Sequence, residues 1–207
     1  IAARNGKQSI EKSDFLAAID RIIGGLEKRG NIISPDEKKT IAIHESGHAT
    51  VSWMLKHASP LVKVTIVPRG KSLGAAWYLP EERHITTTEQ LMDEMAALLG
   101  GRAAEEVILG KVSTGALNDL ERATKQAYAM VVYYGLSKLG NISYYDSSGE
   151  REYSFSKPYS EKTAEEIDRE VHNIIDEAYQ TAKKILSENK DKLTQLAKQL
   201  QEKEVIF

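Results

Sequence analysis

Thr40-Ile41-Ala42-Ile43-His44-Glu45-Ser46-Gly47-His48-Ala49-Thr50 is the stretch whose reading decides the fold. On an α-helix, residues i and i+4 share a face, so His44 and His48 present two imidazoles to one point while Glu45 leans toward its open side. This is the HExxH arrangement. Neutral imidazole is a preferred zinc ligand, a catalytic zinc keeps one position for water, and the metal lowers that water's pKa to about 7. Glu45, which is not a ligand in this reading, is placed to take the water's proton. The chemistry implied is hydrolysis of an amide. HExxH fixes only three positions in five, so an ordinary surface helix can satisfy it by chance. Here the flanking Ile41, Ile43, Ala49 and Val51 give the helix a buried face. Gly47 points the same way: a Gly inside a helix costs about 1 kcal/mol relative to Ala, which is tolerated more readily where something must approach the backbone closely.

The boundaries of this helix are written in its flanks. Ser34-Pro35-Asp36-Glu37 supplies a cap, a proline for the first turn and early acidic residues, so the spacing predicts a helix from Pro35 to about Leu55. Upstream, Ile10, Phe15, Leu16, Ile19, Ile22 and Ile23 predict a short amphipathic helix from near Ser13 to the Gly24-Gly25 pair, followed by a charged connector over Lys28 to Asn31. Downstream, Val62, Val64 and Ile66, then Ala76 to Leu79, predict a hairpin or two adjacent strands around Arg69 to Gly74. A helix capped at Thr88-Glu89 follows and runs to Leu109, with Gly110 ending it. After a loop over Val112 to Ala116, Asn118-Asp119-Leu120-Glu121 opens a helix closed by Gly135, with Asp119 in or near its first turn. Asn141 to Tyr159 is an irregular connection. Two more helices, Ser160 to Leu186 and Asp191 to Gln201, complete a fold that is mainly α with a small β hairpin or sheet.

Composition narrows the function. The 207 residues suffice for one large domain or two small ones, and 41% hydrophobic content is ample for a packed core. The 28 basic and 30 acidic side chains nearly cancel, so there is no broad basic field to hold nucleic acid or an anionic membrane. The absence of cysteine excludes disulfides, thiolate zinc sites and a thiol nucleophile. No run approaches the roughly 18 apolar residues of a membrane span, no signal peptide is visible, and the start at Ile1 reads as that of an excised piece. Two motifs in the Arg69 to Gly74 loop fail on context. Gly70-Lys71-Ser72 resembles a phosphate loop but has Thr65 where the first glycine belongs, and Gly70 to Gly74 fits GxSxG without the helix that must follow.

A catalytic zinc usually has three protein ligands, so another His, Asp or Glu is expected downstream. His57, His84 and His172 qualify by type but sit in settings that suit solvated imidazoles, leaving Glu105, Glu106 and Asp119.

The order of further motifs goes beyond one constellation. His44 to His48, Val67-Pro68-Arg69-Gly70, Tyr78-Leu79-Pro80-Glu81-Glu82, Leu99-Gly100-Gly101-Arg102-Ala103-Ala104-Glu105-Glu106 and Ser113-Thr114-Gly115-Ala116-Leu117-Asn118-Asp119-Leu120 resemble the successive signatures of the FtsH family, in family order and over essentially the whole chain. These are membrane-anchored, ATP-dependent zinc proteases that join an AAA+ motor to a peptidase domain. The resemblance implies one Zn2+ per chain on His44, His48 and Asp119, with Glu45 as general base. It leaves Glu105 either orienting a ligand histidine or solvated on its helix. It further implies that residues 1–30 are a C-terminal remnant of the motor's small helical subdomain and 31–207 the zinc peptidase domain. ATP and Mg2+ would then enter only through the missing motor, and membrane contact only through missing upstream segments. By the same resemblance the protein is a homo-hexamer acting on unfolded or membrane-extracted proteins, with Val62 to Val67 or Gly74 to Leu79 as the edge strand beside which substrate is laid. The bacterial inner membrane, with the peptidase on its cytoplasmic side, is the expected location, and an organelle inner membrane the alternative. Ser46 stands where the family more usually has Ala. The competing class is a ring-forming scaffold with a silent site, which an intact oligomer that lacks metal after purification without chelator would favour.

Overall fold

The segment Pro35–Met54 forms a helix because Ser34 caps it: the Ser34 hydroxyl accepts from the Glu37 amide at 3.2 Å, and Pro35 fills the first turn, where no N–H is missed. In the computed structural model, which describes residues 1–23, 25, 34–69, 73–79, 84–144 and 158–207, this second helix is the hub. Numbered in chain order, the helices are α1 (Lys12–Ile23), α2 (Pro35–Met54), α3 (Thr88–Leu109), α4 (Leu117–Val132), α5 (Glu161–Glu188) and α6 (Lys190–Lys203). The strands are β1 (Leu61–Thr65), β2 (Ala75–Tyr78) and β3 (Val205–Ile206). The expected mainly helical fold with a small β element is what the chain adopts. The connector 28–31, the motif residues 70–72 and 80–82, and residues 145–157 of the irregular connection lie outside the described residues.

Every residue of α2 from Ile41 to Ser52 is buried, so the helix has core on all sides. Ile43 and Val51 join the main core with Met95 and Leu99 of α3, Met130 of α4 and Ile167 of α5. Ile41, Ala42 and Ala49 turn the other way, onto Val64 of β1, Ile66 just after it and Leu200 of α6. Full burial of a Leu or Met side chain such as Leu99 or Met95 stabilises by about 1.5–3 kcal/mol, and this two-sided packing fixes where α2 holds its polar residues. By contrast Ile10, Phe15, Ile19 and Ile22, in and just before α1, are exposed.

The hairpin is antiparallel, with Thr65 opposite Ala75 and Leu61 opposite Tyr78. The third strand has no counterpart in the sequence expectations. Glu204 adopts a left-handed conformation, φ 61°, at the end of α6, and the chain reverses so that Val205 and Ile206 pair with Thr65 and Val64. Lys38 of α2 holds the Glu204 carboxylate at 2.6 Å. The order is therefore β2-β1-β3, which places β1 in the middle. Of the two segments expected to offer an edge, only the one containing β2 does so.

Two helix ends differ from the expected positions. The cap of α3 is Thr87, in a reciprocal capping box with Gln90, one residue before the expected Thr88. α4 stops at Val132 rather than next to Gly135, because the Leu136 amide bonds back to Met130 O at 2.8 Å over the left-handed Gly135. Among the described residues no helix is long and apolar enough to cross a membrane.

Candidate metal centre

His44 and His48 lie one turn apart on the buried α2, and each has one ring nitrogen tied down. His44 Nδ1 is 2.7 Å from Glu105 Oε1, and His48 Nδ1 donates to the Ala97 carbonyl at 2.9 Å, both partners belonging to α3. With the Nδ1 protons so committed, the two Nε2 atoms turn their lone pairs toward each other at 3.1 Å. Asp119 Oδ2 completes the triangle, 3.4 Å from His44 Nε2 and 3.5 Å from His48 Nε2.

Three electron-pair donors at this spacing need something positive among them. Tetrahedral coordination with bonds of about 2.0–2.1 Å puts neighbouring ligand atoms about 3.3–3.4 Å apart, so the triangle has the edge lengths of a zinc site. In the absence of metal a proton takes that role. Burial opposes charge on His44, but the carboxylates of Asp119 and Glu105, one at each ring nitrogen, outweigh it and raise its pKa to about 9. Burial would also raise Asp119, yet its bonds with His44 and His48 hold the carboxyl well below the ordinary range. Glu45 is pushed up by burial, with His48 and His44 pulling the other way. A cation held by His44, His48 and Asp119 would take the place of that proton and leave all three donors satisfied.

The sequence-derived residues meet as follows. His44, His48 and Asp119 form the one group of three or more His, Asp and Glu side chains among the described residues whose ligand atoms converge, all within 4.8 Å. His57, His84 and His172 are not in it; His84 and His172 are exposed. Glu106 faces away, bonded to Lys183 and Tyr179 of α5. Of the two readings of Glu105, solvation is excluded: the residue is 1% exposed and bonds His44 and the amide and hydroxyl of Ser113, at 2.5 and 3.0 Å. Those bonds with His44 and Ser113 outweigh burial and hold its carboxyl below the usual range.

What sequence reasoning missed is the set of glycines that makes room. A Cβ on Gly101 of α3 would lie 2.4 Å from His44 Nε2, and one on Gly47 would lie 2.3 Å from Gly100 O. A Cβ on Gly74, at the foot of β2, would lie 2.7 Å from the Glu45 carboxylate. The sequence reading drew a close approach from Gly47 alone, although Gly101 carries the same signal, a glycine inside a helix.

A mostly helical domain that sets two HExxH imidazoles against a distant aspartate belongs, by fold and site, with the metallopeptidases. Residues 31–207 match Peptidase family M41. The ATP-dependent zinc metalloprotease FtsH of Parabacteroides distasonis is 67% identical over 208 residues, covering 100% of this chain and 30% of that relative. The protein of the same name from Karelsulcia muelleri is 56% identical over 207 residues, covering 100% and 33%. A Mus musculus mitochondrial inner membrane m-AAA protease component is 47% identical over 207 residues, covering 100% and 26%. The chain thus spans about a third or less of the length of these relatives. It belongs to peptidase family M41, like the FtsH-type relatives it resembles.

Proposed function

We propose that this chain is the zinc endopeptidase portion of a longer ATP-driven protease, with His44, His48 and Asp119 as the metal ligands and Glu45 as the general base. The observation that carries the reading is the convergence of His44 Nε2, His48 Nε2 and Asp119 Oδ2 at 3.1–3.5 Å. Zinc, when bound, supplies a Lewis acid that acidifies water and polarises a carbonyl. The chain's own residues do the rest. Glu105 and the Ala97 carbonyl hold the two rings in the tautomer that frees Nε2, and Ser113 in turn holds Glu105. Glu45, its carboxyl raised by burial, is suited to accept a proton from water and pass it to the leaving amine. The outer edge of β2 is the place for an extended substrate backbone.

On the same reading, residues 1–30 end the motor's small helical subdomain and 31–207 are the peptidase domain. Six copies form the ring, ATP and Mg2+ act in the motor, and unfolded or membrane-extracted proteins are the substrates. The 67% identity to a bacterial relative supports the bacterial inner membrane, with the peptidase in the cytoplasm, over an organelle inner membrane. Glu45→Gln tests the core of this reading. Purified chain should hold about one zinc and cleave unfolded polypeptide, and the variant should keep its zinc and lose on the order of 10²–10⁴ in kcat. Full activity in the variant would remove Glu45 from its role, and a purified chain free of zinc would remove the metal.

A further inference from the structure

The stripe of α2 that carries His44 and His48 has a third polar member one turn on, Ser52, buried at 5% exposure. Its hydroxyl donates to the phenol oxygen of Tyr78, the last residue of β2, at 3.0 Å. No role in the chemistry above uses this pair. Residues one turn apart on a helix face have Cβ atoms about 5–6 Å apart, so Ser52, and with it the phenol it holds, lies one helical turn beyond His48. The foot of the same strand abuts Glu45 through Gly74. β2 therefore runs past the ligand triangle, with the general base at one end and the Tyr78 hydroxyl at the other. The charges of Glu45, Asp119 and Arg122 also bear on the phenol.

The direction of the hydrogen bond matters. Because Ser52 donates and Tyr78 accepts, the phenol's own proton is left over. It is also firmly held: burial, first of all, pushes the Tyr78 pKa up to about 12, so the group is a neutral donor throughout the working range. An O–H whose oxygen is held by a buried serine and that stays protonated is suited to meet a charge that appears only during reaction.

Resting on the metallopeptidase reading, we propose that Tyr78 is a further catalytic residue, donating its phenolic hydrogen bond to the oxyanion that forms when water adds to the scissile carbonyl, with Ser52 as its positioning residue. No bond to oxygen is made or broken at the phenol; it keeps its proton throughout and gains its full interaction only as the carbonyl oxygen becomes negative. This is differential binding, which lowers kcat when removed and leaves KM nearly unchanged.

The test uses the zinc-loaded chain, a short fluorogenic peptide and a phosphoramidate peptide that mimics the tetrahedral oxyanion. Tyr78→Phe keeps the ring and removes the donor. It is expected to lower kcat about 100-fold at constant KM and constant zinc content. Phosphoramidate affinity should fall by a similar factor while affinity for the cleaved product peptide stays unchanged. Ser52→Ala, which leaves the donor unanchored, is expected to give a loss of about 10-fold or less. Unchanged kcat and unchanged phosphoramidate affinity in Tyr78→Phe overturn the assignment and leave the metallopeptidase reading intact. Equal losses for phosphoramidate and product peptide also overturn it, since they describe a wall rather than a donor. A parent chain that binds zinc but cleaves nothing overturns it only if phosphoramidate affinity is also insensitive to the substitution. A parent that neither binds zinc nor cleaves removes the reading itself and the assignment with it.

Discussion

The two walls of the site are built differently. The back wall, where α2 crosses α3, is rigid and crowded: Gly47 lies against Gly100, the His44 ring lies against Gly101, and both imidazoles are pinned from behind by α3 through Glu105 and Ala97. The front wall is made of shorter pieces, the four residues of β2 with Gly74 below them and the three-residue turn Thr114–Ala116 that leads into Asp119. The back holds the rings of the proposed metal ligands His44 and His48, and the front borders the Glu45 carboxylate, the proposed general base. Damage to the first should cost the metal, and damage to the second should cost the reaction with the metal in place.

The sharpest break of that contrast comes from a methyl group on each side. Gly101→Ala puts a Cβ 2.4 Å from His44 Nε2 and 2.6 Å from two ring carbons, on the atom proposed to bind zinc. Loss of groups that merely orient a ligand lowers metal affinity about 10–100-fold. Direct displacement of the ring should exceed that, so zinc affinity is expected to fall by more than about 100-fold, with activity falling in step. Competition with a chromophoric chelator measures it. Retention of parent affinity would show that the ring can move without consequence and that the back wall is not rigid.

Gly74→Ala should do the opposite. The three atoms nearest its Cβ are the Cγ, Cδ and Oε1 of Glu45, a flexible side chain that can swing aside with little effect on the fold. A swung carboxylate is misplaced for proton transfer, a contribution of 10²–10⁴ in rate. A loss of about 100-fold in kcat is expected, with zinc content and Tm essentially unchanged. If zinc is lost as well, the two walls are one unit and the comparison fails.

These glycines also show where sequence stops being informative. The pairing of His44 with His48 and the exclusion of Glu45 from the ligands follow from helix periodicity, because the relevant distances lie within one turn. The proposed third ligand does not: Asp119 is 119 − 48 = 71 residues beyond His48, and composition and periodicity left Glu105 and Glu106 open beside it. Ordered resemblance to a family, rather than spacing, singled it out. The clash sites at Gly74 and Gly101 depend on which side chain another element brings to them, and nothing local encodes that. β3 was invisible for a related reason, since two residues carry no periodicity and the left-handed turn before them is made by Glu204, not by the glycine that usually announces one. The helices, set by caps and apolar spacing over many turns, were legible to within a residue or two.

The smallest expected effect sharpens the contrast from inside the back wall. Ser46 lies within the motif, two residues from each imidazole and so about 200° around the helix from both, on the side of α2 turned away from the metal face. It is fully buried, and among the described residues its hydroxyl has no hydrogen-bond partner. A buried polar atom left unsatisfied costs about 1–3 kcal/mol, whereas a buried methyl costs nothing of the kind. Ser46→Ala removes one oxygen, adds no atoms and favours the helix slightly, so it should stabilise the chain by about 1 kcal/mol. For a chain of this size that raises Tm by about 2–4 °C. Zinc affinity and kcat should not move, because the crowding that positions His44 and His48 comes from Gly101, Glu105 and Ala97 on the opposite side. A fall in Tm would mean that the hydroxyl has a partner, such as a buried water, worth more than its burial. A change in zinc affinity would mean that the motif helix transmits packing from one face to the other, and the back wall would then have to be treated as a single packed body with the core behind it.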